Sequence, residues 1–551
     1  MVRLFCLRPI RYIYQMKILI NMRLCMLLVA AAVVSFSSCG NDSQLSAKAE
    51  GSIPDTLIKG NFNEASGIHF DSTAIDTFLK ARPELASYAE DFKTFYRMRD
   101  YALVWYDGKR VTESTQNMIG TLQNQQSDGV LKPLPYQLEF NKLMNKLGDG
   151  SQEPDLRTEL MLTGQYFNYA HNVWGGAEAD KATKMGWYLP RKKLSYSQLL
   201  DRQLTLTKDS VLSAAVVPQY LALKKAMNAY QQTEKKDSDV FVPYIKQYSA
   251  IKPGDNAAVL TTLRARLLQL GDLQTTSATN VYDDDLQTAV KRFKERHGIS
   301  INTQLNQAMF MQLNVPIHKR IQTMLINLER MRWVPADDHG GEYILVNIPE
   351  YMLHYYVENK LNWDCKVVVG KSMNKTVVFS GHLQYLVFNP YWYIPQSIIA
   401  KEVKPGMARN GNYLAKHRME WNGGNVRQRP GPENSLGLVK FIFPNDNNIY
   451  LHDTPSKSLF NEDDRAFSHG CIRVAQPAEL AFKLLGHDPA WTPEKIKAAM
   501  NGGRERKVTL KNKTPVYIGY FTAFVNSKGL LNFREDIYGR DPALLKLLMK
   551  D

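Results

Sequence analysis

The hydrophobic period of this chain changes once along its length, and that change limits what it can fold into. Up to Arg332-Trp333-Val334-Pro335 apolar residues recur at helical spacing; beyond it they come in short β-branched and aromatic runs broken by turns. A helical pattern does not settle as a strand, so the expectation is a multidomain α+β protein with helical units first and a mainly-β domain second. The 551 residues agree with this, because about 100 to 200 residues per domain implies roughly three or four folded units.

The first sixty residues follow neither pattern. Scattered Arg and Lys lead into an apolar run from Leu24 to Val34 and then Ser35-Phe36-Ser37-Ser38-Cys39-Gly40. The run is too short for a membrane-spanning helix, which needs about twenty residues. Its layout is that of a signal peptide over residues 1–38. Small residues running into a cysteine resemble a bacterial lipobox. The resemblance implies a lipidated Cys39 as the new N-terminus, a tether over 39–60, and an exported, periplasmic protein anchored to a membrane of a Gram-negative-type envelope; plain secretion is the alternative, since Phe36 replaces the more usual aliphatic residue.

Removal of the signal leaves Cys39, Cys365 and Cys471, too few for a disulfide framework. Trp363, Cys365, Val367 and Val369 share one face of a strand, so Cys365 reads as a packing thiol and Cys471 is left unexplained. The formal charge of +15 points to acidic partners. An exported chain seldom meets nucleic acid, so the expected partner is an anionic envelope polymer or membrane surface, with plain solubilisation as the alternative.

Residues 61–245 read as a helical scaffold, with Leu160, Met161, Gly164, Phe167, Tyr169, Ala170 and Val173 forming an amphipathic, aromatic-rich stretch. Residues 246–335 read as a small helical unit and a linking helix. Val259, Leu263, Leu267 and Leu270 line one helix capped by Gly271; Leu286, Ala289, Val290 and Phe293 line a second capped by Gly298; a third runs to Leu313. The order Pro253-Gly254-Asp255, Leu270-Gly271-Asp272, Tyr282-Asp283 and Arg296-His297-Gly298 resembles the peptidoglycan-binding domain of cell-wall enzymes. Ile301-Asn302 stands where that family usually has Asp-Gly, so a spacer and a working binding module are both open readings.

A mainly-β domain is expected over 336–508, broken by a Gly-, Asn- and Arg-rich insertion at about 400–435, with a C-terminal hairpin and tail over 509–551. A long irregular insertion in a compact domain is usually a lid or binding loop. Gly406, Gly411, Gly423 and Gly424 would give it hinges, and Lys401, Lys404, Arg409, Lys416, Arg418, Arg427 and Arg429 a positive charge. Chemistry concentrates in Tyr450-Leu451-His452-Asp453-Thr454 and, fifteen residues after His452, Ser468-His469-Gly470-Cys471-Ile472-Arg473-Val474. A thiol needs a base or a positive neighbour to react at neutral pH, and His452 and His469 are candidates. Gly470 permits a tight turn in which the amides of Gly470 and Cys471 could converge on an oxyanion. Arg473 lies on the same side of an extended strand as Cys471 and suits a substrate carboxylate. No metal-ligand spacing or phosphate loop accompanies these residues, so no metal or other cofactor is expected.

The stretch from His452 to Arg473 resembles the signature of the YkuD-type L,D-transpeptidase catalytic domain. Gln428 to Gly437, Lys440 to Asn445 and Phe533 to Gly539 extend the likeness to the large periplasmic, YcbB-like branch of that family, over about residues 80 to 545. The resemblance implies that Cys471 is the nucleophile, His452 the base, His469 a supporting residue, and Gly470 with Cys471 the oxyanion hole. Arg473, Tyr450 and Ser468 complete the set as substrate contacts. It also implies peptidoglycan stem peptides as substrate, with other cell-wall enzymes as possible partners. Water in place of an acceptor amine would make an L,D-carboxypeptidase, and a non-catalytic wall-binding lipoprotein is a further alternative. A papain-like protease is excluded by order, since here the His precedes the Cys by nineteen positions.

Overall fold

A computed structural model describes residues 67–549 apart from 109, 148–152, 178, 190–193, 206–215, 276 and 335–340; Cys39, the signal segment and the tether lie outside the described residues. In the scaffold, α1 (Leu156–Ala170) is buried at every position from Thr158 to Ala170. The expected amphipathic stretch is therefore a central helix, enclosed on all sides. Its Glu159 stays inside by accepting hydrogen bonds from the Tyr96 hydroxyl at 2.8 Å and the Val104 amide at 2.9 Å.

Beyond α2 (Pro218–Lys236) come α3 (Val259–Gln269), α4 (Asp284–Arg296) and α5 (Gln307–Leu313), which enclose a core of their own. It contains the apolar residues expected from the helical spacing, and Gly271 and Gly298 close their helices with φ of +80° and +67°. The next helix, α6 (Ile317–Arg332), is more than a linker: Ile321, Met324, Leu328 and Met331 belong to the core shared by the scaffold and the β domain.

The β domain has β1 (Glu342–Asn347), β2 (Met352–Val357), β3 (Lys360–Gly370) and β4 (Val378–Phe388). An insertion carries β5 (Trp392–Tyr393), β6 (Met419–Asn422) and β7 (Asn425–Gln428). There follow β8 (Val439–Ile442), β9 (Leu451–His452), β10 (Ala466–Ser468), β11 (Ile472–Val474) and β12 (Arg506–Gly519). The ladder runs β8-β9-β11-β3-β2-β1-β12-β4, and β4 pairs again with β8, so the sheet closes on itself around Val367, Val369, Leu386, Phe441, Leu451 and Ile472. Cys365 is buried in this sheet, and burial pushes its thiol up to about 12.

Two expected boundaries shift. Residue 508 falls inside β12, which lies between β1 and β4; the C-terminal hairpin is β13 (Ala523–Val525) with β14 (Leu531–Phe533). Strand β12 runs on past 508 because its alternate residues Leu510, Val516 and Ile518 are buried. The insertion starts at about Trp392 and is folded, with the sheet order β5-β7-β6 and a small core of Ile394, Ile398, Ile399, Val403 and Val426. Three of the four glycines have structural places: Gly423 and Gly424 form the β6–β7 turn at φ of +56° and +79°, and Gly406 lies under the Tyr413 ring.

Lys294 is fully buried on α4, where its amine donates to Asn302 Oδ1 at 2.6 Å and to the Gln304 carbonyl. Burial lowers its pKa to about 8 from the usual 10.5, so wild-type stability gains as pH rises from about 8 toward 10.5. Asn302→Asp supplies the missing counter-charge. It is expected to stabilise this unit by about 1–2 kcal/mol at pH 6 and to remove that alkaline gain; thermal melting at pH 6 and pH 10 checks both.

Candidate active site

Strands β9 and β11 run parallel, with Leu451 opposite Ile472 and His452 opposite Arg473. Alternation sends Leu451 and Ile472 into the core and leaves Tyr450, His452, Cys471 and Arg473 on one face. The registers 450/471 and 452/473 place a phenol beside the thiol and an imidazole beside the guanidinium. Contacts agree: the Tyr450 side chain hydrogen-bonds the Cys471 sulfur, and the Tyr450 and His452 rings lie 5.7 Å apart.

His452 is buried, and its Nδ1–H donates to the Asp453 carbonyl at 2.5 Å. A carbonyl only accepts, so this bond sets the tautomer and leaves Nε2 with a free lone pair. Burial, then the charges of Arg473 and Lys440, pushes the imidazole down to about 3, so it stays neutral at physiological pH. Asp453 is pinned in turn: its carboxylate accepts from the Leu438 amide at 2.8 Å, the Thr454 amide at 2.7 Å and Lys457 Nζ at 2.5 Å. Residue patterns gave no role to Asp453; a buried acid directly after a candidate base was the available signal.

Cys471 is part-exposed, and its Sγ lies 3.7 Å from the Asn448 carbonyl. Burial raises the thiol pKa, opposed by the Tyr450 amide, the Tyr450 hydroxyl and the Arg473 charge. The resting face thus carries a neutral thiol and a neutral imidazole. Arg473 is lowered by burial, and its Nε is buried with no hydrogen-bond partner among the described residues. An unsatisfied buried nitrogen of this kind is uncommon and singles out Arg473 on this face.

The loop before the thiol differs from expectation. Ser468 is 2% exposed, and its Oγ accepts from the Gly470 amide at 3.1 Å while donating to the Cys471 carbonyl at 2.5 Å. Its hydroxyl braces the loop and does not face a substrate. The Gly470 amide is likewise engaged, so of the two amides expected to converge on an oxyanion the Cys471 amide is the one without a partner among the described residues. Gly470 is needed for its φ of +117° and for turning its carbonyl onto Thr376 Oγ1 at 2.8 Å. Gly370 is needed too, because a Cβ there would meet the Asn374 carbonyl. The Tyr538 hydroxyl, from the C-terminal tail, donates to the Gly370 carbonyl and completes the brace. His469 lies with Nε2 3.1 Å from Glu402 Oε1 of the insertion. Among the described residues no cluster of His, Cys, Asp and Glu is suited to hold a metal ion.

The fold and site therefore define a closed, mainly-β catalytic domain built around a cysteine and a histidine on one sheet face. Residues 341–518 match the model of the L,D-transpeptidase catalytic domain of the YkuD type, and residues 90–227 match the model of a scaffold domain. A Haemophilus influenzae protein named "Putative L,D-transpeptidase" is 27% identical over 464 residues, spanning 80% of this chain and 85% of that one. Among solved structures, an L,D-transpeptidase from Stackebrandtia nassauensis aligns at 13% identity and a TM-score of 0.20, covering 51% of this chain and 97% of that one. One from Xylanimonas cellulosilytica aligns at 13% identity and 0.17, covering 50% and 99%. The chain carries an L,D-transpeptidase catalytic domain of the YkuD type.

Because the thiol titrates upward and His452 only near pH 3, thiol acylation should accelerate with pH through the neutral and alkaline range. No acid limb should appear near the ordinary imidazole value of about 6.5. A pH–rate profile with a small acylating probe measures this; a limb near 6.5 that vanishes in His452→Ala contradicts the arrangement.

Proposed function

We propose that this chain is an exported, lipid-anchored L,D-transpeptidase that cross-links peptidoglycan. What carries the reading is the single sheet face shared by Tyr450, His452, Cys471 and Arg473 in a domain of this family. In the first step His452 Nε2 takes the Cys471 proton, and sulfur attacks the carbonyl of the L-centre of the diamino acid at position three of a tetrapeptide stem. The oxyanion forms beside the Cys471 amide. The C–N bond to D-Ala breaks, and the departing amine takes the proton from His452. In the second step the side-chain amine of a neighbouring stem attacks the thioester and restores the thiol. Neither step calls for a metal or nucleotide.

Water in the second step would give an L,D-carboxypeptidase. The folded cap over 392–434, touching the nucleophile loop through Glu402, favours transfer to an amine, since a cover that limits water preserves the thioester. Two of the cap's seven cations, Arg427 and Arg429, are already paired with Glu420, so its attraction for an anionic stem rests on the other five. Lipidation of Cys39 would hold the enzyme at a membrane. The small helical unit, docked beside the β domain, would hold it near the wall.

Mass analysis of stem tetrapeptides incubated with the enzyme is the direct test. Cross-linked dimer supports the proposal, and tripeptide alone makes the enzyme a carboxypeptidase. Cys471→Ala should abolish both products with the fold retained by circular dichroism. His452→Ala should slow them about a hundredfold or more, the usual worth of a positioned base. Arg473→Gln should lower kcat/KM for the stem by roughly tenfold to a hundredfold, the worth of a lost charged hydrogen bond. Alkylation of Cys471 by neutral iodoacetamide should survive that change, because the thiol and its base remain.

A further inference from the structure

We infer that Glu402 is the residue that selects the acceptor, by binding the ammonium of the incoming amine beside the Cys471 thioester; this rests on the transpeptidase reading above. Three carboxylates lie between residues 391 and 436: Glu402, Glu420 and Glu433. Glu420 is consumed inside the cap by Arg427 at 2.7 Å and Arg429 at 2.5 Å, where it clamps β6 to β7. Glu402 is the one whose carboxylate meets the nucleophile loop, 3.1 Å from His469 Nε2.

Both side chains of that pair are open to solvent, at 53% for Glu402 and 44% for His469. His469 precedes Cys471 by two residues, so their Cα atoms are at most about 7 Å apart. The cap around Glu402 is otherwise cationic, with Lys401 and Lys404 as its sequence neighbours. A purely cationic surface would repel an ammonium, and one carboxylate at the rim of the thiol reverses the sign where the acceptor must arrive.

His469 occupies that carboxylate in the resting enzyme, standing where the acceptor's nitrogen would sit. Charges of opposite sign therefore flank Cys471: Arg473 on the strand after it for the donor's carboxylate, and Glu402 across the loop before it for the acceptor's ammonium. The assignment explains how one thiol tells two chemically similar stems apart by their order of arrival.

The transfer balances. The bound ammonium loses one proton to solvent and becomes the attacking amine. A C–N bond forms at the thioester carbonyl, the C–S bond breaks, and the second proton leaving nitrogen passes through His452 to the Cys471 sulfur. The products are the cross-linked amide, the free thiol and one released proton.

The test uses the full chain, a tetrapeptide donor and a titrated acceptor stem, with dimer and tripeptide quantified by mass. Glu402→Gln should raise the acceptor concentration giving half-maximal dimer by about tenfold or more, the worth of a charged hydrogen bond, and shift product toward tripeptide. His469→Ala frees the carboxylate and should lower that concentration, so the two variants move in opposite directions. If they move alike, the pair is a latch holding the cap and the assignment is wrong. It is equally overturned if Glu402→Gln slows D-Ala release as much as it slows cross-linking, or leaves the acceptor dependence where it was. A wild-type enzyme that yields only tripeptide removes the transpeptidase reading itself, an outcome distinct from a normal wild-type and an indifferent Glu402→Gln.

Discussion

The parallel pairing of two very short strands is the constraint from which the site follows. Leu451-His452 and Ile472-Arg473 must lie side by side in register. A parallel pair cannot be closed by a tight turn; the chain has to cross over and return, which takes a dozen residues or more. The nineteen residues from 453 to 471 are that crossover, with a short helical turn at Lys457–Asn461 and β10 paired to β3. The spacing between His452 and Cys471 is therefore a property of sheet topology. With the register set, the period of two decides that Leu451 and Ile472 face inward and that the polar partners share the other face.

Helix α6 plays the corresponding part for the domains. Arg320 reaches His297 of the small helical unit at 2.9 Å, and Asn327 exchanges hydrogen bonds with Thr522 beyond β12. Arg330 pairs with Asp541 at 2.7 Å at the head of the C-terminal helix. Arg332 donates to the Val173 and Asp128 carbonyls of the scaffold at 2.7 and 2.9 Å. Buried charges such as these cost desolvation that their partners only partly return, so they are weak evidence for stability. What they specify is orientation, since each is satisfied only when the neighbouring unit sits in one place. The C-terminal tail then reaches back to the site, where Tyr538 braces Gly370 and, through Thr376, the loop that presents Cys471.

Much of this was legible in the residues. The small helical unit was, because Leu263, Leu267, Leu286 and Phe293 obey a clean helical period and glycines end the helices. The histidine, cysteine and arginine were, because their chemistry and spacing are unusual together. The scaffold was less so: α1 is apolar on every side, and a fully buried helix has no polar face from which to read its direction. The cap was misread as irregular because its core is only a few residues, and three of its glycines serve a turn and one ring contact. Ser468 was misassigned because a hydroxyl beside a nucleophile looks the same in sequence whether it touches substrate or holds up the loop. Only three-dimensional pairing reveals that the Gly470 amide is already taken.

The electrostatics of the resting site bear on how a weak base can serve a weak nucleophile. His452 is held neutral by burial and by the nearby charges of Arg473 and Lys440, while the thiol is raised by burial. Taken alone, that arrangement disfavours proton transfer, because the imidazolium it creates would sit beside two cations. On the proposed reading, the donor alters the balance. A carboxylate paired with Arg473 cancels the charge that most depresses the imidazole after burial itself, and it also withdraws the support the same charge gives the Cys471 thiolate, so base and nucleophile move together when a donor is in place. An empty site keeps its thiol protonated and comparatively inert. If the protein is exported as proposed, that protects the thiol, since the thiolate is the form that oxidises. Arg473 would then both read the donor and tie the basicity of His452 to the acidity of Cys471.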